Sequence, residues 1–374
     1  MSPTAADGAF CDFNAGAPAL PEVLECFVAV ERECPANPAS AHGPGRRARA
    51  VLEDARARIA AALELAGDDV LFTSGGTEAA NLAVLGLGDP SLPVLLSATE
   101  HPAVFEPAQR RGTVAWELDR GGRALVTPPA AAVGLIALVH GQSELGTLQP
   151  IAAAAALAGE QRVPLLVDAA QTLGRVALDE PLRAGATVIL SPHKCGGMRG
   201  HGVLAGRGLA TRLQPLLRGG GQELGLRPGT QSPALAAANA LAIERAVRDR
   251  AARAATMADN RSAFLRGLQQ SGVAHVVLTP LDDSLPNTVM VLFSDLEGRS
   301  LLPTLDLHGV FASHGSACSS GAPTPPRVLR AIGLSDRDAR AAVRFSFDWH
   351  ARGETLTTAA ARCGVVLASR QKNS

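Results

Sequence analysis

Only two of the chain's 35 lysine and arginine side chains are lysines, Lys194 and Lys372, and the second sits in the C-terminal tail. Guanidinium stays protonated, whereas an amine can lose its proton and form a Schiff base, so Lys194 is a candidate for nucleophilic amine chemistry. A composition that spared one lysine by chance is the alternative. The run Ala186 to Leu190 just before it is apolar and rich in β-branched residues. It reads as a buried strand that delivers Lys194 to its carboxyl end, where open α/β sheets bind ligands.

Asp168 ends a second apolar run, Val163 to Asp168. A carboxylate buried there needs a cation. The protonated ring nitrogen of pyridoxal phosphate would be one, since an anion beside it keeps the ring able to absorb the electrons of a carbanion. An aspartate after a strand is also a common helix cap. Ser74-Gly75-Gly76-Thr77-Glu78 stands between a strand and a helix, so free N–H groups and two hydroxyls converge as a phosphate site requires. It lacks the lysine of a nucleotide-binding P-loop and is not a GxGxxG; plain capping is its other reading. Glu100-His101-Pro102 repeats the arrangement, and His101 could stack on a planar cofactor, move a proton or be structural. Cys318 lies in Ser313 to Gly321, a stretch of small residues without apolar periodicity, which makes it a loop thiol and a candidate nucleophile. Arg344 interrupts an apolar strand and calls for a carboxylate, from a ligand or from the protein.

The elements that position these residues alternate. Leu20 to Glu33 and Arg46 to Leu65 read as helices. Strands at Asp69 to Thr73, Val94 to Ala98, Leu135 to His140, Val163 to Asp168 and Thr187 to Leu190 alternate with helices at Thr77 to Gly86, from Pro102, and at Ile151 to Gly159. That order predicts a mainly parallel, doubly wound sheet. One long Ala/Arg-rich helix, Pro233 to Met257 or beyond, then leads to a smaller α+β unit. There, Asn287 to Phe293 and Ala342 to Phe347 read as strands and Gly298 to His308 as a helix. The expected domains are 13–255 for the larger unit, and 1–12 with 256–374 for the smaller.

With 374 residues a two-domain chain is expected. Thirty-five acids balance 35 lysines and arginines, which argues against nucleic-acid or membrane-surface partners. No apolar run is long enough to span a bilayer, and MSPTAADGAF lacks a basic region followed by an apolar one; the expectation is a cytoplasmic protein. Six scattered cysteines without metal-ligand spacing predict neither a metal site nor a disulfide framework.

Taken together, these segments resemble the cysteine desulfurases of the class V aminotransferase group. The likeness runs from Asp12 to about Gly353 through FCDFNAGAP, NPASAH, FTSGGTEAANLAVLG, ATEHPAV, ELGTLQPI, VDAAQ, SPHK, GGGQELGLRPGT, SLPNTV, SHGSACSSG and VRFS, in the family's order. The resemblance implies pyridoxal-phosphate fold type I, with a mainly parallel seven-stranded sheet in a large domain and a smaller α+β domain. It implies that Lys194 binds the cofactor and moves protons, that Asp168 pairs with the ring nitrogen, that Gln171 meets the ring hydroxyl, and that His101 stacks on the ring. Thr77, Ser191, His193 and the Gly76 N–H would hold the phosphate, and Thr230 would reach the phosphate site of a second subunit in a homodimer. Asn14, Ser143 and Arg344 would serve the substrate, Ser143 also the cofactor, and Cys318 would take sulfur from L-cysteine as a persulfide for an acceptor or scaffold protein.

The chain departs from the family's pattern at Gln142-Ser143, where two asparagines are usual, at Cys195-Gly196 and Met198 after the lysine, and at Gln231-Ser232. The leading expectation is an L-cysteine desulfurase serving iron–sulfur cluster assembly or thiolation. A relative acting on selenocysteine or another amino acid, and a non-catalytic scaffold, are the alternatives.

Overall fold

The structure is a computed structural model that describes residues 8–294, 296, 298–315 and 325–371. Among these, the strands in chain order are β1 (Ala9–Phe10), β2 (Val70–Thr73), β3 (Val94–Ser97), β4 (Thr113–Trp116), β5 (Leu135–Val139), β6 (Leu165–Asp168), β7 (Thr187–Leu190), β8 (Gly202–Ala205), β9 (Val276–Val277), β10 (Thr288–Leu292), β11 (Val310–Phe311) and β12 (Ala342–Ser346). Seven of them form one sheet in the order β2-β8-β7-β6-β5-β3-β4. Only β8 runs against its neighbours, so the sheet is mainly parallel, as expected.

The central strands are apolar throughout because both faces are covered: every residue of β5, β6 and β7 is buried. On one side lie Leu52, Ile59, Ile136, Val167 and Val188, on the other Leu82, Leu96, Leu135, Leu166 and Ile189. The flanking helix Gly43–Ala62 opens on a cap in which His42 Nδ1 accepts from the Gly45 N–H at 3.2 Å.

A second core lies under the antiparallel sheet β12-β10-β9. Phe264, Phe293, Phe345 and Phe347 fill it, with the Phe264 ring 4.5 Å from Phe345 and 5.3 Å from Phe347. Helix Gly353–Gln371 packs along helix Arg250–Ser271 at Gly267, where a methyl group would stand 2.2 Å from the Thr357 carbonyl oxygen. The entry segment ties the two cores together. Asp12 bridges to Ser346 beside β12, and the Cys11 carbonyl accepts from the Ser346 N–H at 2.8 Å.

The long Ala/Arg-rich helix is in fact two, Pro233–Arg248 and Arg250–Ser271. Asp249 alone leaves helical geometry, while its N–H still bonds the Arg245 carbonyl and its own carbonyl still accepts from Arg253. Such a one-residue bend leaves no breaker in the sequence.

Phe264→Ala removes the ring that two other phenylalanines pack against and is expected to cost about 3–5 kcal/mol. Urea unfolding checks this; a loss under about 1 kcal/mol would mean that the second core is not packed as described.

Candidate active site

Parallel strands buried on both faces can expose chemistry only at their ends. The carboxyl ends of β2, β3, β5, β6 and β7 line one edge of the large sheet, and the loops that follow them carry the candidate residues. After β7, Ser191 leads into a single 3₁₀ turn, Pro192–Lys194, closed by the Lys194 N–H donating to the Ser191 carbonyl at 3.0 Å. β6 ends on Asp168, which is 8% exposed. Its Oδ1 accepts from the Ala170 N–H at 2.9 Å, so the capping and the functional readings of this residue coexist.

Lys194 keeps partial solvent contact, yet its pKa is pushed down to about 8, chiefly because the protein around its amine strips away water. Asp168 and Glu144 pull that value back up, and Arg175 and Arg344 add to the depression. No described residue hydrogen-bonds or ion-pairs with the amine. Among the described residues it is a recessed base with no partner.

His101 is fixed by its own helix. Its Nδ1 accepts from the Ala103 N–H at 3.0 Å, capping Pro102–Arg111, so the neutral ring carries its proton on Nε2. Burial, helped by the Lys194 charge and opposed by Asp168, sets its pKa below the ordinary value. Glu100 is buried with Oε1 on the Val139 N–H and Oε2 without a partner. Burial, with Asp168 nearby, raises its pKa to about 8, so it is largely protonated at neutral pH.

The phosphate-type features meet at the start of helix Gly76–Gly86. Its N-cap, Gly75, supplies no side chain, so the first N–H groups stay uncapped. A methyl group at Gly76 would stand 2.4 Å from Ser191 Oγ, which brings the turn before Lys194 against this terminus. Thr77 is exposed there. His193 has its pKa pushed to about 4 by burial and the neighbouring cations Lys194 and Arg199, which makes it a neutral donor or acceptor at pH 7. A bidentate pair from Arg227 to Glu78, at 2.8 and 3.1 Å, ties the Gly-rich segment to the same helix. Thr230 thereby lines a cavity of about 130 Å³ with Ser74, His201 and Arg227.

The second sheet closes the other side. Arg344, 2% exposed, donates from Nη2 to Asp12 Oδ1 at 2.5 Å and from Nη1 to the carbonyls of Ser143 at 3.1 Å and Gly315 at 3.4 Å. Its Nε is buried and unpartnered. Asn14 is fully engaged: Nδ2 donates to the Ser143 carbonyl and Thr288 Oγ1, and Oδ1 accepts from Arg175 and Asn287. Gln171 donates from Nε2 to the Asn14 carbonyl at 2.9 Å, which leaves its second amide hydrogen. The Ser143 hydroxyl donates to Glu144 Oε2 at 3.0 Å. Gln142 Oε1 accepts from the N–H groups of Glu144 and Leu145, so this pair shapes a turn. Cys318 lies outside the described residues.

Asp12, Arg175, Asn287 and Thr288 belong to this network without having been given a role from the sequence. Asp12 stands in the FCDFNAGAP motif and Asn287 and Thr288 in SLPNTV, which were the available signals; Arg175 had none. The residues present fit pyridoxal phosphate. A recessed amine lacks a partner, a buried carboxylate has a second oxygen that no described residue hydrogen-bonds, and an uncapped helix terminus faces Ser191 where a side chain at Gly76 would fill the gap.

Competitive acetylation of the cofactor-free protein, read on the Lys194 peptide, is expected to titrate with a midpoint near 8. A midpoint near the ordinary lysine value of about 10.4 would contradict the recessed amine.

The aminotransferase class-V family model matches residues 9–357. A cysteine desulfurase IscS of Dictyoglomus turgidum is 33% identical over 363 residues, covering 93% of this chain and 91% of that protein. Among solved structures, a NifS-like protein superposes with a TM-score of 0.86 at 28% identity, covering 97% of this chain and all of that one. SspA, determined in complex with cysteine, gives 0.77 at 27% identity, covering 92% of this chain and 99% of that one. Together with the lysine, aspartate and uncapped helix terminus at one sheet edge, these matches place the chain in the class-V aminotransferase family, among its pyridoxal-phosphate-dependent cysteine desulfurases.

Proposed function

We propose that this chain takes the sulfur of L-cysteine onto Cys318, releasing L-alanine and leaving a persulfide for a sulfur acceptor. The observation that carries the reading is the unpartnered, partly neutral Lys194 amine beside Asp168, within a network that reaches Arg344. Bound pyridoxal phosphate supplies an acceptor for the electron pair released at the substrate's Cα. Lys194 and Asp168 would hold its reactive carbon and its ring nitrogen, His101 its ring face, and Gln171 its ring hydroxyl. The Gly76 N–H, Thr77, Ser191 and His193 would hold its phosphate.

The protein's own steps follow from placement. Arg344 presents the buried, unpartnered Nε to the substrate carboxylate, with Asp12 and the Ser143 carbonyl fixing its plane. Lys194, with a pKa near 8, both gives and takes a proton at neutral pH and serves the substrate's α-carbon. The Cys318 thiolate attacks the substrate sulfur, a sulfur–sulfur bond forms, and the carbon–sulfur bond breaks. Its electron pair passes to the carbon side, which takes up a proton and leaves as alanine. Gly315, three residues before Cys318, hands its carbonyl to Arg344, so the start of that loop is tethered to the group proposed to hold the substrate.

We read 13–255 as the cofactor-holding domain and 1–12 with 256–374 as the one bearing Arg344 and Cys318, in keeping with the two separate cores. Exposed Thr230 supports a homodimer in which it completes a second subunit's phosphate site. Among the described residues no helix is long and apolar enough to cross a membrane, and a cytoplasmic setting is part of this reading.

After brief exposure of the loaded protein to L-cysteine without reductant, the Cys318 peptide is expected to gain one sulfur with alanine as co-product, and Cys318→Ala to lose the gain. Alanine formed equally by Cys318→Ala would show that another group accepts the sulfur. Arg344→Lys, which keeps charge but loses the fork, is expected to raise KM for L-cysteine about tenfold or more. An unchanged KM would remove Arg344 from the substrate site.

A further inference from the structure

Arg175 is an arginine without an acid. It is 3% exposed, and no carboxylate of the described residues lies within ion-pair distance of it. Burying an unpaired guanidinium is costly unless its hydrogens are met. They are met by acceptors drawn from three separate parts of the active-site network. Nη1 donates to Asn14 Oδ1 at 2.8 Å and to Gln171 Oε1 at 2.6 Å. Nη2 donates to the Phe13 carbonyl at 3.5 Å and to the Lys194 carbonyl at 3.3 Å.

These bonds fix orientations that the amides could not choose alone. With Oε1 held by Arg175, the Gln171 amide must present its N–H₂ group on the opposite side, where one hydrogen goes to the Asn14 carbonyl and one is left over. With Oδ1 held, Asn14 turns its N–H₂ to Ser143 and Thr288. The grip on the Lys194 carbonyl matters because the turn that follows is made of small residues, Cys195, Gly196 and Gly197, with Gly196 at φ +101°. The same turn is also held by Arg253 Nη1 on the Cys195 carbonyl at 3.0 Å and by the Leu20 N–H on the Gly196 carbonyl at 2.9 Å, so the bond from Arg175 to the Lys194 carbonyl is the tie nearest the amine among several.

We propose that Arg175 is a positioning residue of the desulfurase site: its fork orients Gln171 toward the cofactor's ring hydroxyl and ties the turn bearing Lys194 to the entry segment bearing Asn14. This rests on the reading of the crevice as the cofactor site. Its charge has a second consequence at the Lys194 amine. The charged or titratable groups facing that amine are Asp168 and Glu144, which favour its protonated form, Arg175 and Arg344, which oppose it, and the neighbours His101 and His193, whose pKa values burial lowers. Removing Arg175 deletes one of the two opposing cations.

The test uses two readouts besides turnover. The first is competitive acetylation of the Lys194 peptide against pH in cofactor-free protein, which two lysines in the whole chain make unambiguous. The second is the dissociation constant of pyridoxal phosphate, followed by absorbance. Arg175→Gln is expected to move the acetylation midpoint upward by about one pH unit and to weaken cofactor binding about tenfold or more. Arg175→Lys is expected to keep the wild-type midpoint yet still bind the cofactor more weakly, since one ammonium group has three hydrogens and no planar fork for four acceptors. Arg175→Gln with wild-type midpoint and affinity would overturn the proposal. Wild-type affinity in Arg175→Lys would do so too, and it decides the matter by itself should Arg175→Gln fail to fold. Failure of the wild-type protein to bind pyridoxal phosphate would instead count against the cofactor site itself.

Discussion

Keeping an amine in a crevice that water only partly reaches is the constraint around which the molecule is arranged. Lowering the Lys194 pKa from 10.5 to about 8 corresponds to roughly 3 kcal/mol of disfavour for its charged form. That disfavour is what readies the amine for chemistry at neutral pH. It requires a stiff surround, which the central strands provide by being buried on both faces and ending together. Asp168 limits the depression, and Arg175 and Arg344 keep it from being cancelled. Burial sets most of the shift, and two acids set against two arginines adjust it.

The two cores meet at this crevice through a short stretch of chain. Residues Cys11 to Asn14 run beside β12 and lead to Ala17, whose N–H donates to the His193 carbonyl at 2.9 Å, so a single segment bonds both Arg344 and Gln171. Polar groups buried together are worth most when every member is satisfied. Here the Asn14 side chain meets four partners drawn from three separate parts of the chain. Among the buried atoms without a partner, Arg344 Nε lies where the proposed chemistry needs a donor.

The parts of this arrangement that sequence reasoning reached share a local signal. β3, β6 and β7 are largely apolar runs, and the residues that end or follow them stand out by type: a histidine before proline, an acid after Val167, a rare lysine. The edge strand β4 escaped because its pattern, Thr113-Val114-Ala115-Trp116, is only partly apolar and largely exposed, and β8 because it opens on Gly202 amid a glycine-rich stretch. Helix Gly353–Gln371 has weak apolar periodicity and owes its place to packing on helix Arg250–Ser271. Arg175 had no local mark at all in a chain crowded with arginine. Its partners Asn14 and Lys194 stand 161 and 19 positions away, so only the folded chain brings them together. At the Gln142-Ser143 departure the structure gives both side chains bonds within a turn around Glu144.

The most direct test of the account is where the cofactor attaches. Pyridoxal phosphate is added to the purified protein, the adduct is reduced with borohydride, and the peptides are mapped by mass spectrometry. The account predicts a pyridoxyl group on Lys194 alone. A label on Lys372, or on no residue while the protein remains folded, would contradict it.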